Sequence, residues 1–135
     1  MTPHWTMTYL GKPWTKEKDC LYWYRKMKEE RFGRTVPTCV VDIDGSVRKA
    51  IRVLRGDITE AFGYHKVQVP VEGDAVFLSQ GRESSHIGMV FFLRGKMHVI
   101  HCLEGVGMVQ SSLIDLGFNG WKVMGYLSDE NREVL

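Results

Sequence analysis

Apolar positions recur at helical spacing through the first half of the chain and at strand spacing after about Val67. Cys20, Trp23, Tyr24 and Met27 stand at i, i+3, i+4 and i+7, which predicts a helix from Asp19 to about Phe32, with Gly33 as its C-terminal cap. Ahead of it Gly11, Pro13 and the polar run Thr15-Lys16-Glu17-Lys18 break structure. Residues 1–14 read as irregular and aromatic-rich, with Trp5, Tyr9 and Trp14 available to pack over a neighbour. Thr38 to Asp42 is too short to assign. Ser46, after Asp44-Gly45, is placed to cap a second helix through Val47, Ala50, Ile51 and Leu54, ended by Gly56. Ile58, Ala61 and Phe62 suggest one more helical turn or two before Gly63.

Beyond Val67 the elements are strands. Gly73-Asp74 is a turn ahead of the apolar run Ala75-Val76-Phe77-Leu78, and a polar loop from Ser79 to Ser85 leads into His86 to Leu93. Arg94-Gly95 turns that strand into Lys96 to Cys102, so a hairpin is expected. Val106 to Val109 reads as a further short strand. Ser111 is placed to cap a single-turn helix over Leu113, Ile114 and Leu116 that ends at Gly117. Trp121 to Leu127 is expected to close the sheet, and the charged tail from Ser128 to fray. Helices followed by antiparallel strands, without repeats or an internal boundary, predict an α+β fold in one domain spanning residues 1–135.

Composition narrows the function more than the fold. The 135 residues are 44% hydrophobic and 25% charged, near the globular average. A net charge of +2 is too small to argue for nucleic acid, no basic run with interleaved aromatics appears, and the basic cluster Arg48, Lys49, Arg52 and Arg55 is expected on a helix as its solvated face. Three cysteines (Cys20, Cys39 and Cys102) form no C-x-x-C pair, which excludes a zinc ribbon and leaves at least one free thiol. No apolar stretch reaches membrane-spanning length, and Met1 to Trp14 lacks the charged head and apolar run of a signal peptide. Synthesis in a cytoplasm is expected, so any extracellular action needs another delivery route.

Two sets of side chains carry candidate chemistry. Cys20, first in its helix behind the N-cap Asp19, faces unpaired N–H groups and the positive end of the helix dipole, which favour a thiolate; equally, it shares a face with Trp23 and Met27 and can be core. Of five histidines, His4 is expected in a loose end and His65 in a loop, both exposed. A two-residue turn at Arg94-Gly95 pairs Leu93 with Lys96, Phe91 with His98 and Gly88 with His101, so His86, Gly88 and His101 share one face while His98 points to the other. His86 and His101 are then diagonal neighbours, roughly 7–8 Å apart at the backbone, with Gly88 leaving space between them. One ring can take a proton from a thiol while the other orients it. Metal ligation by the same pair stays open, although no carboxylate nearby completes a site.

Taken in order, Tyr9-Leu10-Gly11-Lys12-Pro13-Trp14, Asp19-Cys20, Gly73-Asp74-Ala75-Val76-Phe77, His86-Ile87-Gly88-Met89-Val90 and Val99-Ile100-His101-Cys102 resemble the motifs of the NlpC-type papain-like cysteine peptidases that cut bacterial cell-wall peptides. The resemblance is closest to compact members borne by tailed bacteriophages and related gene-transfer particles. It implies a papain-like α+β domain with Cys20 as nucleophile, His86 as base, His101 as the residue orienting His86, and Tyr9 as a hydroxyl that helps polarise the scissile carbonyl. It implies no metal and no cofactor, a peptidoglycan stem peptide as substrate, and tail-tip proteins as partners. The chain departs from the family's usual pattern at Leu21-Tyr22, where a small Ser-Gly pair is common, and in a longer gap from His86 to His101. The alternative expectation is a structural tail-tip component that keeps the fold without the chemistry, for which the apolar side chains of Trp5, Trp14 and Trp121 offer docking surface. A related cysteine/histidine amidase would share the Cys–His pair and differ mainly in the bond cleaved.

Overall fold

The computed structural model describes residues 4–36, 52–57, 63–80 and 83–130. The expectations for Thr38 to Asp42, for the Ser46 cap and for Ile58 to Phe62 lie outside the described residues, as does Cys39. The described chain is α+β: helix α1 (Cys20–Phe32), strands β1 (His65–Val67), β2 (Ala75–Gln80), β3 (Glu83–Leu93), β4 (Lys96–Leu103) and β5 (Gly107–Ser112), helix α2 (Leu113–Phe118) and strand β6 (Lys122–Ser128). The strands form one antiparallel six-stranded sheet in the order β1-β6-β2-β3-β4-β5. Among the described residues no helix is long and apolar enough to cross a membrane.

Helix α1 begins and ends where its capping residues dictate. The Asp19 carboxylate accepts from the Tyr22 N–H at 3.0 Å, and Gly33, at φ +67°, closes the last turn by donating to Glu29. Leu21, Trp23, Tyr24 and Met27 are buried against Ala75, Phe77, Ile87, Met89, Phe91, Ile100 and Cys102, the face of the sheet that α1 covers. Buried Lys28 fastens the helix further. Its ammonium donates to the Gly73 carbonyl at 2.9 Å and pairs with Asp129 at 2.8 Å, and Arg34 holds the same carboxylate at 2.7 Å. On the opposite face Val76, Leu78, Val90, Val99 and Leu116 form a second, smaller core, edged by Trp121, Val123 and Tyr126.

The β3–β4 hairpin has the expected register, from Leu93↔Lys96 to Gly88↔His101. Several local expectations differ. The polar residues after Leu78 continue the strands: β2 runs to Gln80 and β3 starts at Glu83, with a register shift at Leu78/Ser79, because ladder hydrogen bonds outweigh their weak strand propensity. Ser112, not Ser111, caps α2, which passes through Gly117 to Phe118. His65 opens β1, too short to show any alternation, and is half-buried. Trp5–Thr8 form a 3-10 turn, capped by half-buried His4, where irregular chain was expected. Residues 52–55 are helical and end at Gly56, φ +84°, as the sequence implied.

After the 3-10 turn the N-terminal segment lies along β5. Met108 donates to the Lys12 carbonyl at 2.8 Å and Gly11 donates to the Met108 carbonyl at 3.0 Å. A Cβ on Gly107 would sit 2.6 Å from the Lys12 oxygen, so only glycine allows this approach. That strap carries Trp14 toward the same end of the sheet as His86.

Candidate active site

Strand alternation and a glycine bring two histidines together. Gly88 lies opposite His101, and a Cβ there would stand 2.7 Å from Val99 Cγ1 and 3.1 Å from His101 Cβ. With that space open, His86 Nε2 and His101 Nδ1 meet at 2.8 Å, ring planes 67° apart. The Trp121 indole stacks on His86 at 4.8 Å between centroids and meets His101 edge-on at 6.3 Å. The second nitrogen of His101 lies 3.1 Å from Ser111 Oγ, and the His101 ring is fully enclosed. His98 points to the other face, as the alternation requires, and its Nδ1 donates to the Lys96 carbonyl at 3.0 Å while the ring packs on Phe91.

Both rings are neutral at physiological pH. Burial, joined by the neighbouring His101, pushes His86 down to about 3, and burial pushes His101 down to about 4. With Nε2 engaged by His101, His86 Nδ1 has no hydrogen-bond partner among the described residues. The ring lines a cavity of about 510 Å³ whose wall also includes Trp14, Gln80, Glu104, Asn119 and Trp121. Gln80 is held there by donating to the Asn119 carbonyl at 2.7 Å.

Cys20 opens α1 as expected and packs against the core beside Cys102. The thiol faces the backbone N–H groups of Ile87, Leu21 and Cys20 itself. These favour a thiolate, yet burial outweighs them and the Asp19 carboxylate adds to it, so the thiol is pushed up, not down. The helix-dipole expectation of a resting thiolate is therefore corrected. Cys20 adjoins the residue after His86 but makes no hydrogen bond to either histidine among the described residues, and it is not part of the cavity wall.

Tyr9 is also corrected. Its hydroxyl donates to Glu30 at 2.7 Å, which, with burial, raises its pKa. Glu30 lies about 15 Å of helix axis beyond Cys20, so Tyr9 braces the far end of α1 and is not placed to polarise a carbonyl at Cys20. The backbone N–H groups of Cys20 and Leu21 stand beside the sulfur. Sequence reasoning did not assign Trp121 or Ser111 to the site. Trp121 carried no signal beyond its apolarity, and Ser111 was read as a helix cap; one-residue accuracy in the end of β5 would have turned its side chain toward His101. No group of three or more His, Cys, Asp or Glu side chains that could hold a metal occurs among the described residues.

Compared with protein-family models, with curated proteins and with solved structures, the chain matches none.

Proposed function

We propose that this protein is a papain-like cysteine peptidase that hydrolyses an amide bond in bacterial peptidoglycan stem peptides and is delivered in a phage-like tail tip. The observation that carries the proposal is the His86–His101 contact of 2.8 Å, shielded by Trp121 at the wall of a cavity of about 510 Å³; Cys20, at a helix start, adjoins the other face of the same strand. The order of motifs along the chain supports the substrate class and the tail-tip partners.

Thiol and imidazole are both neutral at rest, so the proton moves during the reaction and not before it. Strand alternation puts His86 on the face of the sheet opposite α1, so this step requires Cys20 and His86 to be brought to one side of β3; the thiol then gives its proton to Nδ1 and the sulfur attacks the carbonyl carbon. The Cys20 and Leu21 amides hold the developing oxyanion. His86 returns the proton to the leaving amine, and water hydrolyses the thioester with His86 again as base. No metal or cofactor enters. Cys20→Ala abolishes release of peptides from purified cell wall, measured as new free amines; wall digestion that survives the substitution rules the mechanism out.

A second reading, a structural tail-tip component with the same fold, is favoured by the missing Cys20–His86 hydrogen bond. Of the three tryptophans, Trp5 packs on Tyr9, Phe32 and Phe91 and donates to Glu72, Trp121 covers His86, and half-buried Trp14 stands at the cavity wall. Ile114 and Phe118, 72% and 87% exposed, are the apolar side chains that a neighbour would cover.

A further inference from the structure

The cavity beside His86 has a lining whose chemistry the peptidase step does not use. Trp14 and Trp121 line it together with Gln80, Asn119 and Glu104, and its volume of about 510 Å³ lies in the range of small-molecule sites. The loop that carries Asn119 and Trp121 is fixed in advance: the Gly120 N–H donates to the Gly117 carbonyl at 3.1 Å and the Trp121 N–H to that of Leu116 at 2.9 Å. Both side-chain amides are anchored as well. Asn119 Nδ2 donates to the Asp115 carbonyl at 3.0 Å, and Gln80 Nε2 donates to the Asn119 carbonyl at 2.7 Å. These bonds assign each amide nitrogen and leave Gln80 Oε1 and Asn119 Oδ1 as acceptors with no hydrogen-bond partner among the described residues. The indoles divide in the same way. Trp5 donates to Glu72 at 2.8 Å and Trp23 to the Pro13 carbonyl at 3.3 Å, whereas the N–H groups of Trp14 and Trp121 have no partner among the described residues.

This lining sorts ligands by charge. No lysine or arginine lines the cavity among the described residues, and His86 is neutral, so a carboxylate or phosphate finds no counter-charge. The Glu104 carboxylate is exposed, and water screens its pull on an ammonium. The ligand that fits is neutral, rich in hydroxyl and amide hydrogens, and has an apolar face to lie on an indole. A pyranose ring is built this way, with axial C–H bonds on its faces and hydroxyls around its rim. We propose that the cavity is a saccharide-binding site and that its ligand is an N-acetylated hexosamine of the cell-wall glycan. Sugar hydroxyls and the acetamide N–H donate to Gln80 Oε1 and Asn119 Oδ1, the acetamide carbonyl accepts from an indole N–H, and a face of the ring lies on Trp14. Trp121, stacked on His86, holds the sugar beside that histidine, where the attached peptide would pass. Assigning the sugar to the cell wall rests on the peptidase reading; the saccharide chemistry of the lining does not.

The test is a titration of the full chain with the N-acetylglucosamine trisaccharide, followed in the proton–nitrogen NMR spectrum. The four tryptophans give four indole N–H signals, and Trp14→Phe and Trp121→Phe assign the two of interest. Those two signals shift and saturate, while that of Trp5, bonded to Glu72, holds. Trp14→Ala weakens binding about tenfold, the worth of one well-stacked ring. Glu104→Gln, which keeps an acceptor and removes the charge, changes it by no more than about twofold. Signals of Trp14 and Trp121 that stay fixed, or that move only along with Trp5, overturn the proposal. So does n-butylammonium that moves both signals at lower concentration than the sugar and fails to do so in Glu104→Gln, since that is an ammonium site. If Trp14→Ala does not fold, the titration of the natural protein decides. Protein that binds the trisaccharide but releases no amines from cell wall keeps the saccharide site and refutes the peptidase; protein that cleaves cell wall while both signals stay fixed does the reverse.

Discussion

Cys20 stands between opposed influences. Three backbone N–H groups favour its thiolate, while burial and the Asp19 carboxylate favour the thiol, and the second pair wins. Asp19 can be separated into its two roles, because asparagine caps a helix about as well as aspartate. Asp19→Asn keeps the bond to the Tyr22 N–H and removes the negative charge beside the sulfur. The expected outcome is a lower midpoint in the pH profile of Cys20 alkylation, with a loss of stability of about 0.3–1 kcal/mol from the weakened dipole interaction. An unchanged midpoint would mean that the carboxylate does not reach the sulfur. At this scale the sequence identified the N-cap and the choice of His101 over His98, since both follow from local periodicity. It could not assign the Tyr9 hydroxyl or the protonation of Cys20, because Glu30 and the enclosing core meet those groups only through tertiary packing.

The hairpin β3–β4 is the element on which the candidate site depends, and Gly88 is its narrowest point. Gly88→Ala drives a methyl into Val99 Cγ1 at 2.7 Å and toward His101 Cβ at 3.1 Å. Overpacking of this kind costs about 1–3 kcal/mol. The relief available is to push β4 outward, which also pulls the His101 ring from His86. Urea unfolding reports the first effect, and loss of the low-field imidazole N–H signal shared by the two rings reports the second. A variant of full stability that retains that signal shows that the strands yield without disturbing the pair. The hairpin was legible because the two-residue turn at Arg94-Gly95 sets the register and the register sets the faces. The extension of β2 and β3 through Ser79 and Ser84 was not, since polar residues join a strand only when a neighbouring strand supplies the ladder.

At the scale of the molecule, α+β character follows from the succession of patterns, but the strand order does not. Placing β6 between β1 and β2 joins residues more than forty positions apart with no local signal, and the sequence reaches only the statement that the last strand closes the sheet. That closure has a consequence for stability. It brings Trp121, just ahead of β6, over His86, and so completes the enclosure that keeps both imidazoles neutral. In the unfolded chain each ring titrates near 6.5, whereas in the folded protein they titrate at about 3 and about 4. Between those values the unfolded state binds more protons, so acid favours unfolding. The stabilisation is complete above pH 6.5 and is lost as the pH falls toward 4, by up to about 1.4 kcal/mol per pH unit for each ring. Protonated carboxylates add their own acid loss, which a His86→Gln/His101→Gln double variant retains while lacking that of the rings. Urea unfolding of both proteins from pH 7 to pH 4.5 therefore isolates the pair. The natural protein loses stability the more steeply, and parallel curves would mean that the two rings are solvated and chargeable in the folded state, which neither the enclosure by Trp121 nor a neutral base at the cavity wall could survive.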